Sequence, residues 1–143
     1  MIPLIVLQLG GCSWGVPSAP NPRAERAVAT AESMVGAPYR YGGNTPKGFD
    51  CSGLVYYSYS KAGVRVPRAS RDQYAKSSKI DLEDAQPGDL LFFASGSRVD
   101  HVAIYLGRGR FVHAPATGRN VAYGSMRDDW YRENFVRAGR PRY

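Results

Sequence analysis

The apolar periodicity of this chain changes once, at Pro87-Gly88, and the change restricts the folds open to it. Before it, Ala24, Ala27, Val28, Ala31, Met34 and Val35 recur at helical spacing, with Asn21-Pro22 as a start signal and Gly36 and Pro38 as a stop. Residues 39–49 hold Gly42, Gly43, Pro46 and Gly48 and read as a loop. Asp50 then caps a predicted helix from Cys51 to about Ala62, closed by Gly63. Ser70 with Gln73 reads as the capping box of a short third helix. After the change, residues 89–94, 101–106, 110–114, 120–123 and 135–138 are short, rich in β-branched and aromatic side chains, and separated by turn residues at hairpin distances. Helices first and strands afterwards predict an α+β domain, with N-terminal helices packed on one face of a five- to six-stranded antiparallel sheet.

The length, 143 residues, suits one domain with a real core, and an apolar content of 43% excludes a disordered chain. No apolar run reaches the roughly 18 to 20 residues of a membrane-spanning helix. The net charge of +7 comes mostly from arginine, fifteen of nineteen basic residues, scattered from Arg23 to Arg142. A dispersed excess attracts any polyanion without choosing among them. Zinc-finger spacing, a Walker loop and an aromatic RNA-binding signature are all missing, so specific nucleic-acid recognition is not expected.

The first eleven residues are uncharged and carry an apolar stretch from Ile2 to Leu9, the length of a secretory core. Leu9-Gly10-Gly11-Cys12 is similar to the lipobox of bacterial lipoproteins, in which cleavage precedes a cysteine that is then acylated. A basic segment before the apolar core is missing. The expected organisation is a signal peptide over residues 1–11, a lipidated Cys12 with a proline-rich tether over 12–22, and the folded domain over 23–143. Ser13, not aspartate, follows Cys12, which favours a cell-envelope protein anchored in the outer membrane and facing the periplasm. The alternative is a buried N-terminal strand with an ordinary Cys12.

Cys51 lies where the loop becomes a helix, so its sulfur faces unpaired N–H groups and the positive end of the helix dipole. Such a place favours thiolate over thiol. The one possible disulfide partner, Cys12, is claimed by the lipobox, so Cys51 reads as a free thiol, either a nucleophile or a small core residue. The chain has two histidines, both in adjacent predicted strands. If those strands pair about Gly107-Arg108-Gly109, Ala103 stands opposite His113, and His101 and His113 share a face as diagonal neighbours roughly 7 Å apart. A two-residue turn would put them on opposite faces. A shared face offers a base beside a nucleophile and a third polar group to orient the base. Two unrelated structural histidines are the plain alternative. Zinc held by the cysteine and both histidines lacks the usual Cys-x-x-Cys or His-x-x-x-His spacing.

Six blocks stand in order: Tyr39-Arg40-Tyr41-Gly42-Gly43, Gly48-Phe49-Asp50-Cys51-Ser52-Gly53-Leu54-Val55, Pro67-Arg68-Ala69-Ser70-Arg71-Asp72-Gln73, Pro87-Gly88-Asp89-Leu90, Asp100-His101-Val102-Ala103-Ile104-Tyr105 and Phe111-Val112-His113-Ala114. Together they closely resemble the NlpC-type cell-wall cysteine peptidases, from about Ala27 to Val136. The resemblance implies a circularly rearranged papain-like fold and a monomeric hydrolase of peptidoglycan stem peptides, without metal or cofactor. By position it implies Cys51 as nucleophile, His101 as general base, His113 as the residue that orients it, and Tyr39 as a tyrosine that helps stabilise the oxyanion. Asp50 and Ser52 match positions that in some relatives meet the substrate's free amine, and Arg68 and Ser70 border the same cleft. Asp50 and Ser70 are explained equally well as helix caps, and Tyr39 as core. The expected reaction is cleavage of an amide bond at D-glutamate or diaminopimelate. The rivals are a non-catalytic wall-binding module and a thiol-dependent acyltransferase on the same fold.

Overall fold

The computed structural model describes residues 19–143, so the expected signal peptide, Cys12 and most of the tether lie outside the described residues. Asn21 starts the fold: its side-chain oxygen accepts from the Arg23 backbone N–H at 2.9 Å, and Pro22 occupies the first helical position, which needs no N–H donor. Helix α1 (Pro22–Ser33) buries a stripe of Ala24, Ala27 and Ala31, and packs against α2 (Cys51–Lys61). Between them the expected loop contains a small hairpin, β1 (Asn44–Thr45) paired with β2 (Gly48–Phe49). A Cβ on Gly53 would collide with the Gly43 carbonyl oxygen, so the glycine in the first turn of α2 is what lets this hairpin close against the helix start.

Helix α3 (Ser70–Lys76) begins without a side-chain cap. The expected Ser70–Gln73 capping box does not form, because Gln73 turns inward. It is 2% exposed, and its Nε2 donates to the carbonyls of Pro67 at 2.8 Å and Ser52 at 3.1 Å. Tying two backbone carbonyls inside the core outweighs a cap at a solvent-facing helix end.

The main sheet has six strands: β3 (Ser78–Ile80), β4 (Leu90–Phe93), β5 (His101–Gly107), β6 (Arg110–His113), β7 (Ala122–Ser125) and β8 (Phe135–Arg140), with α4 (Asp129–Asn134) just before β8. All pairings are antiparallel, in the order β3-β8-β4-β5-β6-β7. The α+β architecture is the expected one. Strand residues alternate: Leu90, Phe92, Val102, Ile104 and Val112 meet Leu54, Val55 and Tyr59 of α2, while Leu91, Phe93, Ala103, Tyr105 and Phe111 point the other way. That second face is buried as well, under Leu82, Met126, Tyr131 and Phe135, so the N-terminal helices cover one face as expected and later segments cover the other.

The fourth predicted strand, 120–123, lies two residues late, over Ala122–Ser125. Its first residues are taken by a different partner: Val121 N–H donates to Ala37 at 2.8 Å and Gly36 N–H to Val121 at 2.9 Å. This cross-link ties the β6–β7 loop to the segment after α1.

Asp89, 1% exposed, sits at the entrance to β4 and is held by Arg140 of β8, whose Nε and Nη2 each donate at 2.9 Å, and by the Gln86 N–H at 2.8 Å. Arg140→Met leaves a buried carboxylate without its counter-charge and is expected to cost about 3 kcal/mol in urea unfolding. Adding Asp89→Asn to that variant should recover part of the loss. A loss below about 1 kcal/mol in the single variant would show that the pair is dispensable.

Candidate active site

The positions of both histidines follow from the β5–β6 hairpin. Its turn is the two-residue pair Arg108-Gly109, closed by Gly107 opposite Arg110. Both turn residues have positive φ, 55° and 74°, as the hairpin-favouring turn requires, and Arg108 is the one non-glycine residue in that region among those described. A two-residue turn alone would put the histidines on opposite faces. A bulge between Tyr105 and Gly107 adds the missing residue, so Tyr105 pairs with Phe111 and Ile104 with Val112. The ladder continued in that register brings Ala103 opposite His113, as the expected three-residue loop did by another route.

His101 and His113 therefore share a face, with His101 Nε2 and His113 Nδ1 2.8 Å apart and the rings edge-on. Phe93, Phe111 and Tyr131 pack around them. The residues are 9% and 3% exposed. Burial pushes the His101 pKa down to about 4, against a small opposing pull from Asp100. Burial, then the His101 and Arg119 charges, pushes His113 down to about 3. Both imidazoles are neutral at neutral pH, so one donates to the other. When His101 Nε2–H donates, His113 Nδ1 accepts and the lone pair on His101 Nδ1 is left free.

Cys51 is a free thiol at the first position of α2. Its pKa is raised, first by burial and also by the Asp50 carboxylate, although backbone hydrogen bonding, chiefly from Val102, pulls the other way. The resting thiolate expected from the helix dipole is therefore corrected to a thiol: removing the sulfur from water costs the anion more than the helix end returns. Val102 follows His101 directly in β5, which sets the sulfur beside the start of the strand that carries His101. Tyr39 pairs with Phe49 in an isolated bridge, and burial, then the Cys51 and Asp50 charges, keep its phenol protonated. It is a hydroxyl donor close to the thiol.

Asp50, Ser52 and Arg68 form one cluster. Arg68 donates from Nη1 to Ser52 Oγ at 2.9 Å and from Nη2 to Asp50 Oδ2 at 3.0 Å, and its Nη1 lies 3.0 Å from Asp50 Oδ1. Asp50 Oδ1 also accepts the Gly53 N–H at 2.7 Å, the helix cap, and Oδ2 accepts the Gly42 N–H at 3.0 Å. Asp50, expected to meet a substrate amine, and Arg68, expected to border the same cleft, form an ion pair with each other. Ser70, at the start of α3, makes no side-chain hydrogen bond among the described residues, to this cluster or elsewhere.

A cavity of about 620 Å³ opens beside the histidine pair. Sequence reasoning missed its other walls: Trp130 and Tyr131 lie in α4, which is only six residues long and lacks a side-chain cap, and Arg119 lies in the loop between β6 and β7, which carries no period. The adjacent aromatics Trp130-Tyr131 within a charged stretch were the available signal. Among the described residues no group of three His, Cys, Asp or Glu side chains is placed to hold a metal ion, so the zinc alternative lacks a ligand set.

A histidine kept neutral by burial destabilises the fold as the unfolded chain takes up protons. Its contribution is complete above an unfolded pKa of about 6.5. It is lost as pH falls from there towards the folded values of about 4 for His101 and about 3 for His113. The urea midpoint should fall across that window, and His113→Asn should flatten the fall. An identical slope in the variant would contradict the burial assigned to His113.

Residues 36–140 match the NlpC/P60 family model. The chain is 39% identical over 113 residues to murein DD-endopeptidase MepH of Escherichia coli (strain K12), a match covering 75% of this chain and 42% of that protein. It is 38% identical over 120 residues to the bifunctional muramidase/DL-endopeptidase CwlT of Bacillus subtilis (strain 168), covering 81% of this chain and 36% of that one. A crystal structure of a lipoprotein-like NLP/P60 protein from Staphylococcus aureus superposes with a TM-score of 0.78 at 37% identity, over 87% of this chain and 43% of its own. This chain thus spans less than half the length of each of the three. Since the family match runs from just after α1 to the end of β8, across every element that carries the site, the chain belongs to the NlpC/P60 family.

Proposed function

We propose that this domain is a cysteine endopeptidase that cleaves amide bonds in peptidoglycan stem peptides. The observation that carries the reading is the 2.8 Å bond between His101 Nε2 and His113 Nδ1, which leaves His101 Nδ1 available on the strand that begins beside Cys51. The substrate class is supported by the names of its relatives, a murein DD-endopeptidase and a DL-endopeptidase.

In this reading the Cys51 sulfur attacks the scissile carbonyl carbon while its proton passes to His101 Nδ1. Thiol and imidazole are both neutral beforehand, so the proton moves within the step and not in a prior equilibrium. The tetrahedral oxyanion is held by N–H groups at the start of α2 and by the Tyr39 hydroxyl. His113 accepts from His101 and stabilises the imidazolium as it forms. Collapse breaks the C–N bond, and the amine leaves with the proton from His101. Water, deprotonated by the same nitrogen, then attacks the thioester, releasing the carboxylate and restoring the thiol. The D-glutamyl-diaminopimelate bond is the first choice. The crosslink is the second, favoured by the DD-endopeptidase name of one relative.

Digestion of defined monomeric and crosslinked muropeptides, followed by mass spectrometry, tests this. Release of disaccharide dipeptide supports the first bond, and conversion of dimers to monomers the second. Cys51→Ala should abolish both products. His101→Ala should lower turnover by about three orders of magnitude, and His113→Asn, which keeps a polar partner, by clearly less. Equal losses from the two histidine variants in folded protein would contradict the roles assigned. Cleavage of an unstructured control protein with no action on muropeptides would overturn the substrate class.

A further inference from the structure

The cavity beside the histidine pair carries a cation that the mechanism does not use. Arg119, in the β6–β7 loop, makes no side-chain hydrogen bond and no ion pair among the described residues, whereas Arg68 and Arg140 are each bound to a carboxylate. Its backbone is nonetheless held. The Arg119 N–H donates to Ala116 at 3.1 Å, its carbonyl accepts from the Tyr39 N–H at 2.9 Å, and the next residue, Asn120, bridges to Pro38. The guanidinium is thus presented from a fixed loop that is tied to the Tyr39 segment of the site. Its positive charge lowers the pKa of both His113 and Tyr131, which places it within reach of each.

Two carboxylates share the cavity. Asp100, bonded by Ser95 Oγ, precedes His101, and Asp128 lies at the foot of α4 beside Trp130 and Tyr131. Neither is within ion-pair distance of Arg119. Opposite charges that line one aromatic-walled cavity without pairing with each other are complementary to a ligand end that bears both signs. A guanidinium grips a carboxylate with two parallel hydrogen bonds, and a carboxylate near an aromatic face suits an ammonium.

We infer that this cavity receives a free α-amino-carboxylate end of the substrate, such as the far end of a diamino acid side chain, with Arg119 binding its carboxylate and Asp128 facing its ammonium. This rests on the stem-peptide reading above and names the residues that would hold the free end of the substrate, which that reading leaves unassigned. It makes Arg119 a specificity-determining residue: it acts on which stem peptide binds, and the bond-breaking steps do not pass through it. Because its side chain makes no hydrogen bond and no ion pair among the described residues, its substitution removes no polar contact of theirs.

The test titrates the full chain carrying Cys51→Ala with two stem tripeptides, one with the free α-amino-carboxylate end and one with that carboxyl amidated. Amidation should weaken binding about tenfold. Arg119→Gln in the same background should bind both peptides alike, at the weaker affinity, and Arg119→Lys should fall between. Equal binding of the two peptides by the parent, or an undiminished preference in Arg119→Gln, overturns the inference. The chain with Cys51 intact is run in parallel: if it cleaves neither peptide while the binding preference stands, the hydrolase reading fails and the site assignment survives.

Discussion

The His101–His113 hydrogen bond exists because β5 and β6 meet in one particular register, and that register depends on the bulge between Tyr105 and Gly107. A side-chain period of two means that one residue more or less in this hairpin would turn one ring to the opposite face. The chain meets the requirement with two compensating features, a two-residue turn whose Arg108 and Gly109 both have positive φ, and an extra residue just before it. Once the rings face each other, Phe93, Phe111 and Tyr131 exclude water from around them. Burial keeps both neutral, and a single proton is left to orient the pair.

The same balance of burial against charge shapes the surroundings of Cys51. The start of α2 has the donors and dipole that favour an anion, yet the sulfur is buried and Asp50 stands next to it, so the thiol keeps its proton. Asp50 would disfavour a thiolate more strongly if its charge were unpaired. Arg68 meets both carboxylate oxygens, and the helix cap and the Gly42 N–H take up the remaining acceptor directions. One cluster therefore caps the helix, closes the β1–β2 hairpin against it and moderates the negative charge beside Cys51. Among the described residues, Arg119, Asp100 and Asp128 line the cavity beside the histidine pair without pairing with one another.

Where structure is dictated locally, the sequence was readable. Asn21-Pro22 sets the start of α1 to within a residue, Asp50 caps α2, and the apolar runs over β4, β5 and β8 place the central strands. The six motif blocks carry the family, and with it the residues now found around the α2 start and on the β5–β6 face. What escaped is non-local. Ser70 and Gln73 have capping-box spacing, but core carbonyls 21 and 6 residues away compete for Gln73 and win. The helix dipole is visible from Cys51 alone, whereas the burial that outweighs it comes from the packing of α2 on the sheet. The short elements β3 and α4 carry too few residues to show a period, and the cavity wall that α4 forms was marked in the sequence by the Trp130-Tyr131 pair alone.

The central claim is that a neutral imidazole pair leaves His101 Nδ1 unprotonated and available to Cys51. Long-range proton–nitrogen correlation spectra of the full chain labelled with 15N, taken at neutral pH, report the protonation of each ring nitrogen directly, and His113→Asn assigns the two rings. The account predicts both rings singly protonated, His101 carrying its proton on Nε2 and His113 leaving Nδ1 bare as the acceptor. A proton on His101 Nδ1, or an imidazolium at either position, would contradict it.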